Sequence, residues 1–280
     1  MTTPNEAQSA FWNGRPGEMW VRFQPDMDLL HANVTRAMLA EADPGPGQHV
    51  LDIGCGAGAS TLDIAAAVGP SGQVTGCDIS GPLLARARDR AAAVPQVRFR
   101  QADAQSDDLG GPFDLAVSRF GAMFFADPVA AFANIARQMR PDARLVLAAW
   151  AGAEANPWFS LARAVAEARL GPLPAGDPDA PGPTAFRDPA RVIGLLTAAG
   201  LRDARVQTLD LTLDHPEGVA AVTRLAPFIG PVAAAFRETE ADAAAQAAVL
   251  DDLARAFVRH DTAEGLRVPA RIHLYAARAA

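Results

Sequence analysis

The chain has 280 residues, of which 50% are hydrophobic and 20% charged, with a formal net charge of -7 at pH 7. This length predicts one large domain, and an acidic surface disfavours binding to nucleic acid or to anionic lipid. We expect a cytoplasmic protein with unpaired thiols at Cys55 and Cys77, because the sequence shows no signal peptide, no apolar run of about 18 residues and too few cysteines for a disulfide framework.

The N-terminal residues 1–47 contain several aromatic side chains and are predicted to be helical. The segment "AFWNGRPGEMWVRFQPDMDLL" contains Trp12, Trp20 and Phe23. We expect residues 1–47 to form a helical cap. Such a cap either closes over a ligand site or packs as an amphipathic helix on the surface of the domain.

Residues 48–150 alternate between predicted strands and helices. The run "HVLDIG" (49–54) is almost continuously apolar, which is typical of a strand buried on both faces. The helix at 59–69 is expected to be capped by Ser60 or Thr61, and the helix at 128–139 by Asp127. Further strands are predicted at 73–80, 96–103, 113–120 and 143–150, and a further helix at 82–94. This alternation indicates parallel strands, with a ligand outside their carboxyl ends.

The pattern changes after Trp150. Residues 151–187 are rich in Pro and Gly and hold one helical piece, and residues 215–264 are rich in Ala and predicted to be helical. Between and after them lie a predicted helix capped by Asp188 and two strands, at 201–213 and 267–279. We therefore expect a core of residues 48–280 with inserted cap segments at 151–187 and 215–264.

Three glycines, Gly54, Gly56 and Gly58, directly follow the first strand. Glycine lets a ligand approach the backbone and permits positive φ, and the next helix begins with free, partly positive N–H groups. The turn therefore suits an anionic or polar ligand. Gly54, Gly56 and Ala59, with Asp78 about 24 residues further on, fit a nicotinamide-dinucleotide fingerprint.

Asp52 favours a different ligand. It lies two residues before the first glycine, where a carboxylate would repel a pyrophosphate but attract an amino group or a sulfonium. S-adenosylmethionine carries both of these cations, and it also has a carboxylate for the helix N-terminus.

The stretch "VLDIGCGAG" (50–58) resembles the first motif of the class I S-adenosylmethionine-dependent methyltransferases. It is most similar to the branch that contains the ubiquinone/menaquinone-biosynthesis enzymes. The resemblance is strong over 48–150 and extends to the end of the chain. It implies an α/β fold with a doubly wound, Rossmann-like seven-stranded sheet, mostly parallel with an antiparallel last strand, plus helical cap insertions. It also implies an S-adenosyl-L-methionine-dependent methyltransferase with a small-molecule acceptor.

The resemblance further implies how the cofactor is bound. Gly54, Gly56 and their neighbours, with Asp52, would cradle the methionine part. Asp78 would accept hydrogen bonds from both ribose hydroxyls, since a carboxylate can face two donors, and Ile79 would pack on the adenine. The open alternative is that Asp78 is a solvated loop acid.

The third and fourth strands would supply the remaining contacts. The resemblance implies that Asp103 accepts from the adenine amino group and that the Ala104 N–H meets a ring nitrogen. Ser118 and Arg119 would line the cavity beside the transferring methyl group. The open alternatives are that Asp103 caps a turn and that Arg119 pairs with an acid such as Asp127.

Methyl transfer from a sulfonium is an in-line displacement that needs alignment and exclusion of water more than a proton donor. We therefore expect no catalytic triad and assign no catalytic residue. His49 and His273 lie in predicted strands and are expected to be structural, whereas His31, His215 and His260 are each candidates for a general base. No pair has metal-ligand spacing.

Apolar residues suggest what covers the site. Trp20 is our choice for a cofactor contact from the N-terminal cap. A set of apolar side chains either forms a wall for a neutral, hydrophobic acceptor or is ordinary core. These are Met123, Phe124, Phe125, Leu225, Phe228, Ile229 and Phe236.

Two other functions are considered. An NAD-dependent oxidoreductase would need a catalytic Tyr/Lys or His/acid pair, and the single tyrosine, Tyr275, lies in the last predicted strand. A non-catalytic S-adenosylmethionine-binding regulatory protein also fits the sequence, because no catalytic residue is mandatory for this chemistry.

Overall fold

A mixed β-sheet forms the centre of the computed structural model, which describes residues 5–280. The order of the main strands is β3-β2-β1-β4-β5-β8-β6, and β7 pairs with β8. Strands β1 to β5 are mutually parallel, whereas β8 runs antiparallel to both β5 and β6. The strands are β1 (His49–Ile53), β2 (Gln73–Asp78), β3 (Val97–Gln101), β4 (Phe113–Arg119), β5 (Met139–Trp150), β6 (Arg202–His215), β7 (Asp261–Thr262) and β8 (Gly265–Arg278).

The predicted α/β class and mostly parallel sheet are confirmed, but the strand count is eight and not seven. The additional strand is β7, which pairs with the start of β8 through Asp261 with Leu266 and Thr262 with Gly265. The last long strand, β8, lies between β5 and β6. It runs antiparallel to both of them.

Eleven α-helices lie within the described residues. They are α1 (Glu6–Asn13), α2 (Arg15–Arg22), α3 (Gln24–Ala42), α4 (Ala59–Val68), α5 (Gly81–Arg90), α6 (Pro128–Arg137), α7 (Pro157–Leu170), α8 (Pro189–Ala198), α9 (Val219–Leu225), α10 (Pro231–Glu238) and α11 (Ala243–Phe257). Residues 215–264 are therefore three helices followed by β7, not helix alone. None of the helices in residues 5–280 combines the length and apolar character needed to cross a membrane.

Helix starts show which cap predictions hold. Asp127 accepts a hydrogen bond from the Ala130 N–H, and Asp188 caps α8, both as predicted. The prediction that Ser60 or Thr61 caps α4 is wrong. The residue before α4 is Gly58, with φ 82°. The two hydroxyls instead donate hydrogen bonds to the buried carboxylate of Asp52.

Helix α3 contributes to the core although it belongs to the N-terminal region expected to form a cap. It packs against β5 and β6. Its residues Met27, Leu30, Val34 and Met38 recur at three- and four-residue spacing and are at most 5% exposed. Burying side chains of this size stabilises a fold by about 1.5–3 kcal/mol each, so α3 is anchored firmly against the sheet.

Candidate active site

The turn after β1 holds three glycines with positive φ: 63° at Gly54, 54° at Gly56 and 82° at Gly58. At Gly54 an added Cβ would lie 2.7 Å from the Cα of Gly121, so two backbone segments are in contact there. At Gly56 an added Cβ would meet nothing within 4 Å. Glycine therefore serves two purposes in this turn, which are close packing at Gly54 and open space for a ligand above Gly56.

Asp52 lies beneath this turn and is fully buried. Its Oδ2 accepts hydrogen bonds from Ser60 Oγ at 2.7 Å and Thr61 Oγ1 at 2.6 Å, whereas its Oδ1 has no partner among the described residues. Burial raises the pKa of Asp52 to about 6, and the two hydroxyls oppose that shift. A buried carboxylate oxygen without a donor suits a cationic N–H group.

Asp78 ends β2 and ties two turns together. Its Oδ2 accepts from the Gly56 N–H and its Oδ1 from the Ser80 N–H, each at 2.8 Å. The residue is 9% exposed, so it is not a solvated loop acid. Burial raises its pKa and the backbone N–H groups lower it. A carboxylate has about four lone-pair sites, so Asp78 can accept further donors.

Asp103 follows β3 and closes a turn. Its Oδ1 accepts from the Gln105 N–H and from the Asn5 side-chain amide, both at 2.9 Å. Ala104, the next residue, is buried, and its carbonyl accepts from Asn134 Nδ2 at 3.0 Å. Asp103 therefore closes a turn, as the alternative interpretation from the sequence predicted. Its other carboxylate oxygen, Oδ2, also belongs to the carboxyl edge of the sheet.

The first two helices lie across the same edge. Asn13, at the end of α1, donates from Nδ2 to the carbonyl of Ile79 at 3.0 Å. The Trp12 ring packs edge-to-face against Trp20 at 5.7 Å and against Phe124 at 5.3 Å. Trp20 and Ile79 therefore lie in one region, at the junction between these helices and the turn after β2.

Ser118 and Arg119 end β4 and differ in their surroundings. Ser118 is fully buried: its Oγ donates to the Ile53 carbonyl at 2.8 Å and accepts from the Ala122 N–H at 3.0 Å. Arg119 donates from Nη1 to Thr35 Oγ1 at 2.7 Å. Ser118 therefore joins the ends of β1 and β4, whereas Arg119 places a cation beside α3.

His31, on α3, lies among aromatic rings at the ends of β4 and β5. Its centroid is 5.2 Å from Phe120, 6.0 Å from Trp150 and 6.1 Å from Trp20. The imidazole is 6% exposed, and its ring nitrogens make no hydrogen bond within the described residues but keep some access to solvent. Burial, and then the charge of Arg119, hold its pKa well below the usual value, so the ring is neutral.

The other histidines and the tyrosine have structural partners or lie elsewhere. The rings of His49 and His273 bond to threonine hydroxyls within the sheet. His215 bonds to the Asp26 carboxylate. His260 follows α11 and packs on the ring of that helix's last residue. Tyr275 is fully buried, and its hydroxyl donates to a backbone carbonyl, which removes the only tyrosine as a catalytic acid for an oxidoreductase.

Sequence reasoning missed the aromatic pair at the site. Phe120 and Trp150 stack with centroids 4.3 Å apart and planes 10° from parallel, and Phe159 packs edge-to-face on Trp150 at 5.3 Å. The available signal was position, since both residues stand where a parallel strand ends. Phe120 and Trp150 are 8% and 5% exposed, and Leu225 and Phe236 of the proposed wall are similarly buried.

A groove of about 540 Å³ lies elsewhere, along the edge of the sheet formed by β3. It is lined by polar and basic side chains that include His49, Thr75, Arg98 and Arg100. None of the residues predicted to bind the cofactor lines it, so the groove is not the candidate site.

Comparisons with known proteins agree with this architecture. A family described as "Methyltransferase domain" matches residues 50–142. Nocamycin O-methyltransferase of Saccharothrix syringae is 34% identical over 208 residues, which cover 68% of this chain and 71% of that protein. Demethylmenaquinone methyltransferase of Corynebacterium kroppenstedtii is 34% identical over 126 residues, covering 43% of this chain and 48% of its relative.

The fold has solved counterparts. The structure of YcgJ from Bacillus subtilis superposes with a TM-score of 0.55 at 18% identity, covering 89% of this chain and all of that protein. This likeness concerns the fold alone. The sequence relatives carry the functional conclusion, and they give no support to an oxidoreductase or a regulatory protein. With its glycine turn, its acidic strand ends and these relatives, the chain belongs to the class I S-adenosylmethionine-dependent methyltransferases.

Proposed function

We propose that this methyltransferase methylates an oxygen atom of a neutral, hydrophobic small molecule. The observation that carries the proposal is the stacked pair Phe120 and Trp150 at the carboxyl ends of β4 and β5, extended by Phe159. Such rings offer a flat apolar surface that favours an aromatic or conjugated acceptor. The name of the Saccharothrix relative supports oxygen as the atom methylated, and the negative net charge supports a small molecule over a nucleic acid.

Residues around the glycine turn fit S-adenosylmethionine. The space above Gly56 leaves room for a ligand against the backbone, and the unpaired Oδ1 of Asp52 suits the amino group of the methionine part. When bound, the cofactor supplies a methyl group activated by positively charged sulfur. The chain's own contribution is to align the acceptor and to keep water away, which the fold does by laying α1 and α2 across the sheet edge.

The individual cofactor contacts remain part of this proposal. We assign the ribose hydroxyls to Asp78, whose carboxylate keeps free lone pairs, and the adenine to Ile79, Asp103 and the Ala104 N–H. Trp20 would close the site from α2. Ser118 would act indirectly, because its hydroxyl is engaged by backbone groups.

A methylation screen tests the acceptor class. Purified protein and radiolabelled S-adenosylmethionine are incubated with hydrophobic phenols and enols, and with amines and thiols of the same carbon skeletons. We expect labelled ethers from the hydroxyl compounds, identified by a mass gain of one methylene and by the O-methyl signal in NMR. Methylation confined to amines, thiols or carbon would overturn the choice of oxygen.

Cofactor binding should release a proton near pH 6. Because the pKa of Asp52 is raised to about 6, the free protein holds that carboxyl partly protonated at pH 6. The folded state loses stability as the pH rises toward this value, because the carboxyl must then ionise in a buried site. An ammonium group beside Asp52 favours the carboxylate, so affinity should rise as the pH goes from about 5 to 7.

Calorimetry of S-adenosylhomocysteine binding at pH 6, in two buffers with different ionisation enthalpies, measures this proton release. The matched variant Asp52→Asn retains an acceptor for Ser60 and Thr61 but cannot ionise. Equal proton release by Asp52→Asn and the unaltered protein would assign the proton to another group and remove Asp52 from the amino-group site.

A further inference from the structure

We propose that His31 is the general base of the reaction and accepts the proton of the acceptor hydroxyl. This inference rests on the proposed function, because only an acceptor that carries an O–H requires a base. It deepens that function by assigning a catalytic residue, and by defining the acceptor group as a hydroxyl that is protonated when it binds.

Of the five histidines, His31 is the one that faces the aromatic pair at the ends of β4 and β5, with ring centroids 5.2 Å from Phe120 and 6.0 Å from Trp150. An acceptor lying on those rings would have its polar edge within reach of the imidazole. Helix α3 holds the ring in place, because its neighbouring residues are anchored in the core.

The ring of His31 also lacks a partner within the protein. A buried imidazole normally hydrogen-bonds through both nitrogens, as His215 and His273 do here with neighbouring groups. His31 is 6% exposed and makes no hydrogen bond through its ring within the described part of the chain, but its nitrogens are not fully buried, unlike Nε2 of His260. The ring nitrogens therefore keep access to solvent, where the hydroxyl of an acceptor can bond them.

Arg119 is held beside His31 by Thr35, whose hydroxyl accepts from Arg119 Nη1 and donates to the His31 carbonyl at 3.1 Å. This cation and burial keep the imidazole neutral and so able to take up a proton. A weak base suffices, because the hydroxyl becomes strongly acidic as its oxygen forms the new bond.

A lone pair of the acceptor oxygen forms the O–C bond to the methyl carbon while the pair of the C–S bond stays on sulfur, which becomes neutral. The O–H bond breaks, its electron pair remains on the oxygen, and its proton moves to a His31 ring nitrogen. Departure of the ether product then lets the imidazolium lose that proton to solvent.

The variant His31→Gln tests the assignment with a series of phenols. These range from simple phenols, with hydroxyl pKa of about 10, to nitro-substituted phenols that are ionised at the assay pH. For the protonated phenols we expect kcat to fall about 10²- to 10⁴-fold, the usual contribution of a general base, with little change in KM. For the ionised phenols kcat should change little, because no proton has to move.

Two controls separate catalysis from structure. His49→Gln makes the same chemical change on β1, where the ring bonds Thr75, and should leave kcat unchanged for all phenols. Calorimetry should give His31→Gln the same affinity for S-adenosylhomocysteine as the unaltered protein. Without turnover, the ¹⁵N signals of the His31 ring should shift when a phenol is added and not when its methyl ether is added.

An equal loss for protonated and ionised phenols, or no loss, would overturn the role of His31 while leaving the proposed function intact. An unaltered enzyme that methylates no hydroxyl compound would overturn the proposed function and this inference together.

Discussion

Replacing Gly54 by alanine is expected to lower the free energy of unfolding by about 2–5 kcal/mol, the sum of two independent costs. An L-residue pays about 1–2 kcal/mol for the left-handed backbone found at this position, and overpacking adds about 1–3 kcal/mol. The Cβ would lie 2.7 Å from the Cα of Gly121, and backbone cannot rotate away as a flexible side chain can. The turn after β1 must therefore move, and cofactor binding should be lost with it.

Gly56→Ala is the matched control for this prediction. Gly56 also has positive φ, at 54°, but an added Cβ meets no atom within 4 Å. Its loss of stability should be confined to the backbone cost of about 1–2 kcal/mol. The methyl group would nevertheless occupy the space proposed for the cofactor, so affinity should fall more than stability does.

Urea unfolding measures the stability of both variants, and calorimetry with S-adenosylhomocysteine measures their binding. Equal unfolding free energies for Gly54→Ala and Gly56→Ala would show that the contact with Gly121 is not tight. Undiminished binding by Gly56→Ala would show that no ligand lies above that residue.

Asp78→Ala is expected to weaken cofactor binding about 10²- to 10⁴-fold, since two hydrogen bonds are lost. Hydrogen bonds to a charged group contribute about 1.5–3 kcal/mol each, and the ribose hydroxyls would lose their acceptor. The change also leaves the N–H groups of Gly56 and Ser80 without the carboxylate to which each now donates a hydrogen bond at 2.8 Å. Part of the loss therefore reflects a less ordered glycine turn.

Titration calorimetry with S-adenosylmethionine checks this result, and the exposed Asp89 on α5 supplies the control. Asp89→Ala removes the same charge without touching either turn, so its affinity should match that of the unaltered protein. An Asp78→Ala variant that still binds at full strength would remove Asp78 from the cofactor site.

Much of the fold could be predicted because its signals are local. The apolar run at His49–Ile53 and the caps at Asp127 and Asp188 depend on residues close together in the chain. The regular alternation of strands and helices then leaves few topologies. β7 escaped prediction because two residues carry no periodicity, and the capping error arose because Ser60 and Thr61 serve Asp52, a partner outside the helix.

The site could be located but not resolved in detail. Charge beside the glycine turn indicated Asp52, and the family resemblance indicated Asp78 and Asp103, at strand ends that a parallel sheet brings to one edge. The sequence did not show which carboxylate and hydroxyl oxygens are free to bind a ligand. The backbone bonds accepted by Asp78 and the engaged hydroxyl of Ser118 arise from segments distant along the chain.

The sequence by itself determined the parallel α/β core, the glycine turn and the family, because these depend on residue types at short, fixed spacings. Only the tertiary structure decided that β8 lies between β5 and β6, and that His31 of α3 meets Phe120 and Trp150 in one cluster. The physical reason is that such contacts join residues about 50 to 130 positions apart in the chain. Their pairing is decided by how helices and strands pack, and no local pattern records it.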